Sequence, residues 1–308
     1  SGVAEHPRQV GESWTAANGA RCLVCSTMPE EIVSPDGEFL PKIKPHSLEK
    51  IRRHNYYAAL VSNAMRRRWP QRLYVGLYSG AGLASLEPTG EIVETSALSV
   101  VKQAVPFTKY IFVDSEPECL KALEARITAL GGQHDVSYIH GDVNEMLPEV
   151  IAAVPPYSRE SGLLSLCFID PFRVDLKFEV IRQLSRFRMD FLVMLPLGYD
   201  LRRNLKRYLE DADAHRVGEL IDDLGWRDEW LKRGESPKHF IRFLLTRFDE
   251  AMVRLGYRER TLQGAANVKV AGMGVFLYAL TLYSRHELGE EFWRTTLDSA
   301  DDQLQMDF

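Results

Sequence analysis

The chain has 308 residues, 45% of them hydrophobic and 26% charged, a composition that suits a globular fold with a substantial core and excludes a fibrous or disordered chain. A formal net charge of −5 removes any global attraction to nucleic acid and leaves only local basic clusters to provide it. No apolar run reaches the roughly 18 residues of a membrane span, and the first residues, Ser1-Gly2-Val3-Ala4-Glu5, lack the basic and apolar regions of a signal peptide, so the expectation is a cytoplasmic protein without membrane contact.

Residues 1–45 carry little periodicity and are punctuated by Pro29, Pro35, Pro41 and Pro45, which predicts an extended N-terminal arm. From His46 to Trp69 apolar residues recur at helical spacing until Pro70 stops them. The pattern then alternates. Strands are predicted at Arg72–Tyr78, Lys109–Val113, Val136–His140, Leu163–Ile169 and Phe191–Leu195. Helices are predicted around Ser96–Ala104, Glu116–Leu130, Val143–Ala152 and Lys177–Phe187. Nearly continuous apolar strands separated by helices describe a parallel sheet covered on both faces. Residues 197–235 are polar and helical and interrupt the alternation after the fifth strand. A helix at Phe240–Leu255, a strand near Tyr257–Leu262, a long apolar strand at Gly274–Ser284 and a last helix through Glu290–Thr295 follow. The expected architecture is therefore α/β: a doubly wound, mostly parallel, seven-stranded sheet with one antiparallel strand. It would span residues 46–196 and 236–300, with the helical insertion 197–235 between them.

Ligands of doubly wound sheets bind at the carboxyl ends of the strands, near the point where strand order reverses. The first strand runs into Ser79-Gly80-Ala81-Gly82, where small residues let a ligand approach the backbone. A turn that needs positive φ accounts for the same residues. The second strand ends at Asp114, placed to accept hydrogen bonds from the ribose of a nucleoside cofactor; the same residue, or Ser115, also suits the start of the following helix. Asp142 after the third strand could bond an adenine amine or cap a helix at Val143. The fourth strand ends in Asp170-Pro171-Phe172, an aspartate at the end of a central buried strand that packing alone explains poorly. A carboxylate and a neighbouring carbonyl can accept both hydrogens of an amino group and aim its lone pair at an electrophile, while Phe172 stacks on a flat ring.

Four cysteines in a chain of this length form no disulfide framework. Cys22-x-x-Cys25 supplies half of a tetrahedral zinc site; an ordinary turn and a site shared with another chain remain open beside zinc. Arg66-Arg67-Arg68, and Arg202-Arg203 with Lys206-Arg207, are basic clusters able to meet phosphates or to form plain solvated helix faces.

Several stretches, in order, resemble the bacterial three-Cys-motif partner proteins (TcmP), a family similar to class I S-adenosylmethionine methyltransferases. They are the helix from His46 to Tyr57 with Lys50 and His54, Tyr78-Ser79-Gly80-Ala81-Gly82, Ile111 to Glu116, Gly141-Asp142-Val143-Asn144, Phe168-Ile169-Asp170-Pro171-Phe172, and Met194-Leu195-Pro196 leading to Arg202. The most specific is Leu277-Tyr278-Ala279-Leu280 through Tyr283-Ser284-Arg285-His286-Glu287-Leu288-Gly289 to Phe292-Trp293. The resemblance covers residues 45 to 296 and implies a Rossmann-like methyltransferase fold with S-adenosylmethionine as cofactor. Ser79, Gly80, Gly82, Asp114 and Asp142 would then bind the cofactor, Asp170, Pro171 and Phe172 would carry the reaction, and Lys50, His54 and Arg202 would face the substrate. No metal is needed. A three-Cys-motif protein and nucleic acid are the implied partners. Asp170-Pro171-Phe172 also looks like the D/N-P-P-Y/F motif of adenine amino methyltransferases without its second proline. The family's loop typically reads D-x-F-A-G-x-G, and Gly76 stands here at the aspartate position. Three readings follow: a methyltransferase acting on a nucleobase amine; favoured by Gly76, a methyltransferase-like binding module that has lost catalysis; or the same fold performing different chemistry on a peptide or nucleotide.

Overall fold

The computed structural model describes residues 34–157, 162–197, 202–210, 214–259, 265–269 and 276–306. The Cys22/Cys25 pair and most of the expected N-terminal arm lie outside the described residues. Seven strands form the main sheet: β2 (Gln71–Leu77), β5 (Lys109–Asp114), β6 (Val136–His140), β7 (Leu163–Ile169), β8 (Asp190–Leu195), β9 (Ala265–Lys269) and β10 (Phe276–Tyr283). Their order is β6-β5-β2-β7-β8-β10-β9. All neighbours up to β8 are parallel, and β10 runs antiparallel to both β8 and β9. This is the doubly wound, mostly parallel Rossmann-like methyltransferase arrangement expected from the sequence, with the reversal of strand order between β2 and β7.

Side chains alternate across the strands, and the two faces carry separate cores. Leu73, Val75, Leu77, Ile111, Val113, Cys167 and Ile169 face one side. Tyr74, Tyr110, Phe112, Leu166 and Phe168 face the other. The second face is covered by α1 (His46–Met65), α2 (Ser96–Val101), α3 (Pro117–Ala129) and α10 (Glu287–Met306). Tyr57 of α1 meets Trp293 of α10 edge to face at 5.8 Å.

The first face is covered by α4 (Leu147–Ala153), α5 (Phe178–Leu184) and α9 (Phe240–Arg254), together with three helices of the insertion, α6 (Arg202–Glu210), α7 (Ala214–Ile221) and α8 (Trp226–Arg233). Trp226 and Trp230, four apart on α8, are both buried against Phe240, with ring centroids 5.6 and 5.0 Å away. The insertion's apolar side chains thus continue the core of the sheet.

The structure differs from the sequence reading in four places. A small sheet of β1 (Lys42–Ile43), β3 (Leu83–Leu86) and β4 (Glu91–Glu94) stands where no strand was expected. Its signal was the Pro88-Thr89-Gly90 turn between two short extended runs. The strand expected near Tyr257–Leu262 is found at Ala265–Lys269; Tyr257 instead packs into the core, buried, with its hydroxyl donating to the Met189 carbonyl at 2.7 Å. The helix expected at Val143 begins at Leu147, since Asp142 first closes a turn on Asn144 and Glu145. The last helix runs on to Met306. Among the described residues no helix is long and apolar enough to cross a membrane.

Candidate functional site

The ends of β2, β5, β6 and β7 meet at one edge of the sheet, and the backbone there is tied across strands. The Asp170 amide donates to the Leu77 carbonyl at 3.3 Å, the Ser79 amide to Val113 at 3.0 Å, and the Gly141 amide to Asp114 at 3.0 Å. Loop residues 78–82 are therefore flanked by Asp114 on one side and Asp170 on the other.

Three residues of this loop region have positive φ: Tyr78 at 64°, Gly80 at 68° and Gly82 at 85°. Tyr78 is the costly one, since a side chain in this region stores strain of about 1 kcal/mol or more. A Cβ at Gly80 would meet nothing within 4 Å, so the loop faces open space there. One at Gly82 would lie 2.9 Å from Leu123 and 3.2 Å from Leu98, so close packing requires that glycine.

Asp114 is 9% exposed. Its Oδ2 accepts the Gly80 amide at 2.7 Å and its Oδ1 the Glu116 amide at 3.0 Å. Each oxygen keeps a second lone pair for a ligand hydroxyl. The carboxylate thus shapes the glycine loop and starts α3 together. Ser79 is less free, because its hydroxyl donates to the Val113 carbonyl at 3.2 Å.

Asp142 accepts the backbone and side-chain amides of Asn144 at 2.8 and 2.9 Å through Oδ1. Asn144 in turn donates to the Asp175 carbonyl at 2.9 Å and accepts the Lys177 amide at 2.8 Å, which zips the loop after β6 to the loop after β7. Beside this zip lies a cleft of about 400 Å³ lined by Asp142, Asn144, Arg173, Asp175, His215 and Glu219 among others. The Tyr78 hydroxyl reaches Asp175 at 3.4 Å. Burial, reinforced by the charge of Asp142, raises the Asp175 carboxyl above its ordinary value.

At Asp170 the arrangement is asymmetric. Oδ2 pairs with Lys50 Nζ at 2.6 Å, across from α1, with both side chains mostly covered (14% and 16% exposed). Oδ1 is buried and has no hydrogen-bond partner. A buried carboxylate oxygen without a donor costs free energy unless a ligand supplies one. Pro171 is buried, while Phe172 is 80% exposed, an aromatic ring presented to solvent two residues after the aspartate.

The structure brings Lys50 to Asp170 and ties the Asp170 backbone to Leu77, just before the glycine loop, with Phe172 two residues further on. It places His54 elsewhere, fully buried between Tyr74, whose hydroxyl lies 2.7 Å from Nε2, and Phe168, whose ring centroid is 4.4 Å away. Burial lowers its pKa to about 4, leaving a neutral imidazole. Any influence of His54 on a ligand passes through these neighbours. Arg202 opens α6, which follows β8 at the site edge of the sheet. The exposed Arg66-Arg67-Arg68 run lies at the opposite edge, just before the start of β2. Seven residues of strand, about 20 Å, separate it from the glycine loop.

Gly76 has a packing explanation. A Cβ there would lie 3.0 Å from Cδ1 of Phe112 and 3.3 Å from Cε1 of Tyr74. Aromatic rings fill the space into which an acid at this position would project. Cys119 and Cys167 are both buried free thiols, and among the described residues no group of three or more His, Cys, Asp or Glu is placed to hold a metal ion.

No protein-family model matches the chain, and no characterised protein matches it in sequence. Solved structures similar to it include the Legionella pneumophila protein LPL1258, at 12% identity and a TM-score of 0.44 over 82% of this chain and 92% of that one. The O-methyltransferase TomG of Streptomyces achromogenes, solved with S-adenosylmethionine, is 14% identical at a TM-score of 0.40, over 74% of this chain and 79% of its own. A Bacillus cereus O-methyltransferase solved with S-adenosylhomocysteine is 12% identical at a TM-score of 0.39, over 74% and 80%. Likeness at this level identifies no function, and the fold rests on the strand order itself.

Proposed function

We propose that the protein is a methyltransferase that uses S-adenosylmethionine to methylate an exocyclic amine of a nucleobase in nucleic acid. The observation that carries this reading is Asp170: one carboxylate oxygen held by Lys50, the other buried without a donor, and Phe172 exposed beside it. A planar amine stacked on Phe172 would donate a hydrogen to Oδ1, which orients the nitrogen lone pair. Lys50 fixes the carboxylate's rotation.

The residues of the other subsites fit the cofactor. The open space above Gly80 admits it close to the backbone, and Asp114 retains lone pairs for ribose hydroxyls. Asp142 retains Oδ2 for an adenine amine. When bound, the cofactor supplies an electrophilic methyl group, and no metal is required. The chain's own part is alignment and exclusion of water. The order of motifs further supports kinship with the three-Cys-motif partner proteins, with such a protein as partner.

A second reading, a binding module without catalysis, is favoured by Gly76, whose site is packed with aromatic rings where related loops carry an acid. Titration calorimetry with S-adenosylmethionine and S-adenosylhomocysteine, followed by transfer of labelled methyl groups to RNA and DNA, tests both. Cofactor binding together with label transfer supports the enzyme when Asp170→Ala abolishes the transfer and leaves the binding nearly unchanged. Salt-sensitive association with nucleic acid and no cofactor binding would establish the module instead.

A further inference from the structure

Arg126, in the last turn of α3, is 5% exposed, although nothing in the proposed reaction uses it. Its guanidinium has two addresses. Nη1 donates to the Ala81 carbonyl, in the middle of the glycine loop, at 2.6 Å. Nε and Nη2 grip the Asp36 carboxylate in a two-pronged pair at 2.7 and 3.0 Å, and Nη2 also reaches the Ser34 hydroxyl at 3.2 Å. Asp36 is presented by its own turn, in which the Gly37 amide donates to the Ser34 carbonyl at 3.2 Å and the Glu38 amide to Asp36 Oδ1 at 3.1 Å. The guanidinium beside it holds the Asp36 carboxyl far below the usual carboxylate range.

The loop is consequently pinned from both sides. Asp114 fixes the Gly80 amide, and Arg126 fixes the next carbonyl, while Gly82 packs with no Cβ against Leu123 and Leu98. A guanidinium this deeply buried is tolerable only with a charged partner; without one it must be desolvated unpaired or turn out toward water. Turning out releases the Ala81 carbonyl. Asp36 is remote in sequence from the glycine loop and from Arg126, yet it supplies the charge that Arg126 is paired with.

We infer that Asp36 and Arg126 form a clasp that positions the glycine loop and thereby sets the affinity of its ligand. Asp36 does not touch the ligand and acts through Arg126, which makes both positioning residues. The affinity part rests on the reading of this loop as a cofactor cradle.

The experiment uses the full chain and compares wild type with Asp36→Asn, which keeps shape and removes charge, and Asp36→Glu, which restores it. Hydrogen exchange of the peptide covering residues 79–85 is measured against peptides from β8 and β10, alongside calorimetry with S-adenosylhomocysteine. The expected result for Asp36→Asn is exchange about tenfold faster in the glycine loop alone and a Kd raised about tenfold, with Asp36→Glu recovering most of both. Unchanged loop exchange overturns the clasp. So does equal acceleration in all peptides, which would mean that Asp36 only supports the fold globally. If wild type fails to bind S-adenosylhomocysteine, the cofactor reading and the affinity claim fall together, and loop exchange alone still decides the clasp.

Discussion

Replacing Asp114 by asparagine separates its two roles by arithmetic. The carboxylate takes one backbone amide on each oxygen, Gly80 at 2.7 Å and Glu116 at 3.0 Å. A side-chain amide has one acceptor oxygen, so one of these N–H groups must face an NH2. The shorter bond keeps the oxygen, and the Glu116 amide at the start of α3 loses its partner. A hydrogen bond to a charged group lost in this way costs about 1.5–3 kcal/mol, which for a domain of this size lowers Tm by about 3–10 °C. Cofactor affinity falls separately: a ribose hydroxyl loses a charged acceptor, and the same 1.5–3 kcal/mol corresponds to about 10- to 150-fold in Kd. Scanning calorimetry reads the first effect and titration with S-adenosylhomocysteine the second. An unchanged Tm would refute the placement of Asp114 as a double backbone acceptor. A lowered Tm with unchanged affinity would confine it to holding the loop.

Lys50→Met should lower methyl transfer at least about tenfold while leaving S-adenosylhomocysteine affinity within about twofold, because it frees Asp170 Oδ2 without touching the glycine loop; equal losses of both would place Lys50 in the cofactor site. Phe172→Ala should raise KM for nucleic acid with little change in Tm, since the ring is 80% exposed and its packing contributes little to folding; a large fall in Tm would contradict that. Gly76→Asp should destabilise by about 2 kcal/mol or more, read as a shift in urea midpoint, because it presses into Phe112 and Tyr74 and buries a charge; a stable variant that binds cofactor more tightly would reverse the packing account. Burial raises Asp190 to about 7, against opposing contributions from Ser284 and Arg285. A carboxyl raised on folding stabilises fully below its unfolded value near 3.8 and loses that contribution as pH rises through about 7. Stability should therefore fall between pH 5 and pH 8 by at most about 3 kcal/mol, and Asp190→Asn should flatten the profile; equal slopes for both proteins would discount Asp190.

The fold was legible because two periodicities dominate the chain. Nearly continuous apolar strands such as Leu163–Ile169 reveal burial on both faces, and the helices between them force parallel pairing. What escaped is short or set by distant partners. Four-residue strands such as β3 and β4 leave too little alternation to register, and α4 starts late because Asp142 spends Oδ1 and its carbonyl on the turn before it. The strand before the last stands later than expected, and Tyr257, where it was expected to begin, is instead held in the core by a hydrogen bond to Met189, far back along the chain. No local pattern encodes that.

At the site, strand ends told which residues would gather, and position alone selected Asp114, Asp142 and Asp170. Chemistry within the gathering was not readable, because it depends on which oxygen of each carboxylate is already occupied. Lys50 and His54 illustrate this: four apart on one helix they look equivalent, yet one ends 2.6 Å from Asp170 and the other under Tyr74 and Phe168. The helix is rotated so that the longer, flexible chain reaches the sheet edge while the ring enters the aromatic layer. That layer also accounts for Gly76. Phe112, Tyr74 and Phe168 occupy the face of the sheet beneath the glycine loop, and an acid at position 76 would have to displace them. Gly76 and the aromatic floor beneath the loop are thus one structural fact, and the Lys50–Asp170 pair stands at the neighbouring strand end.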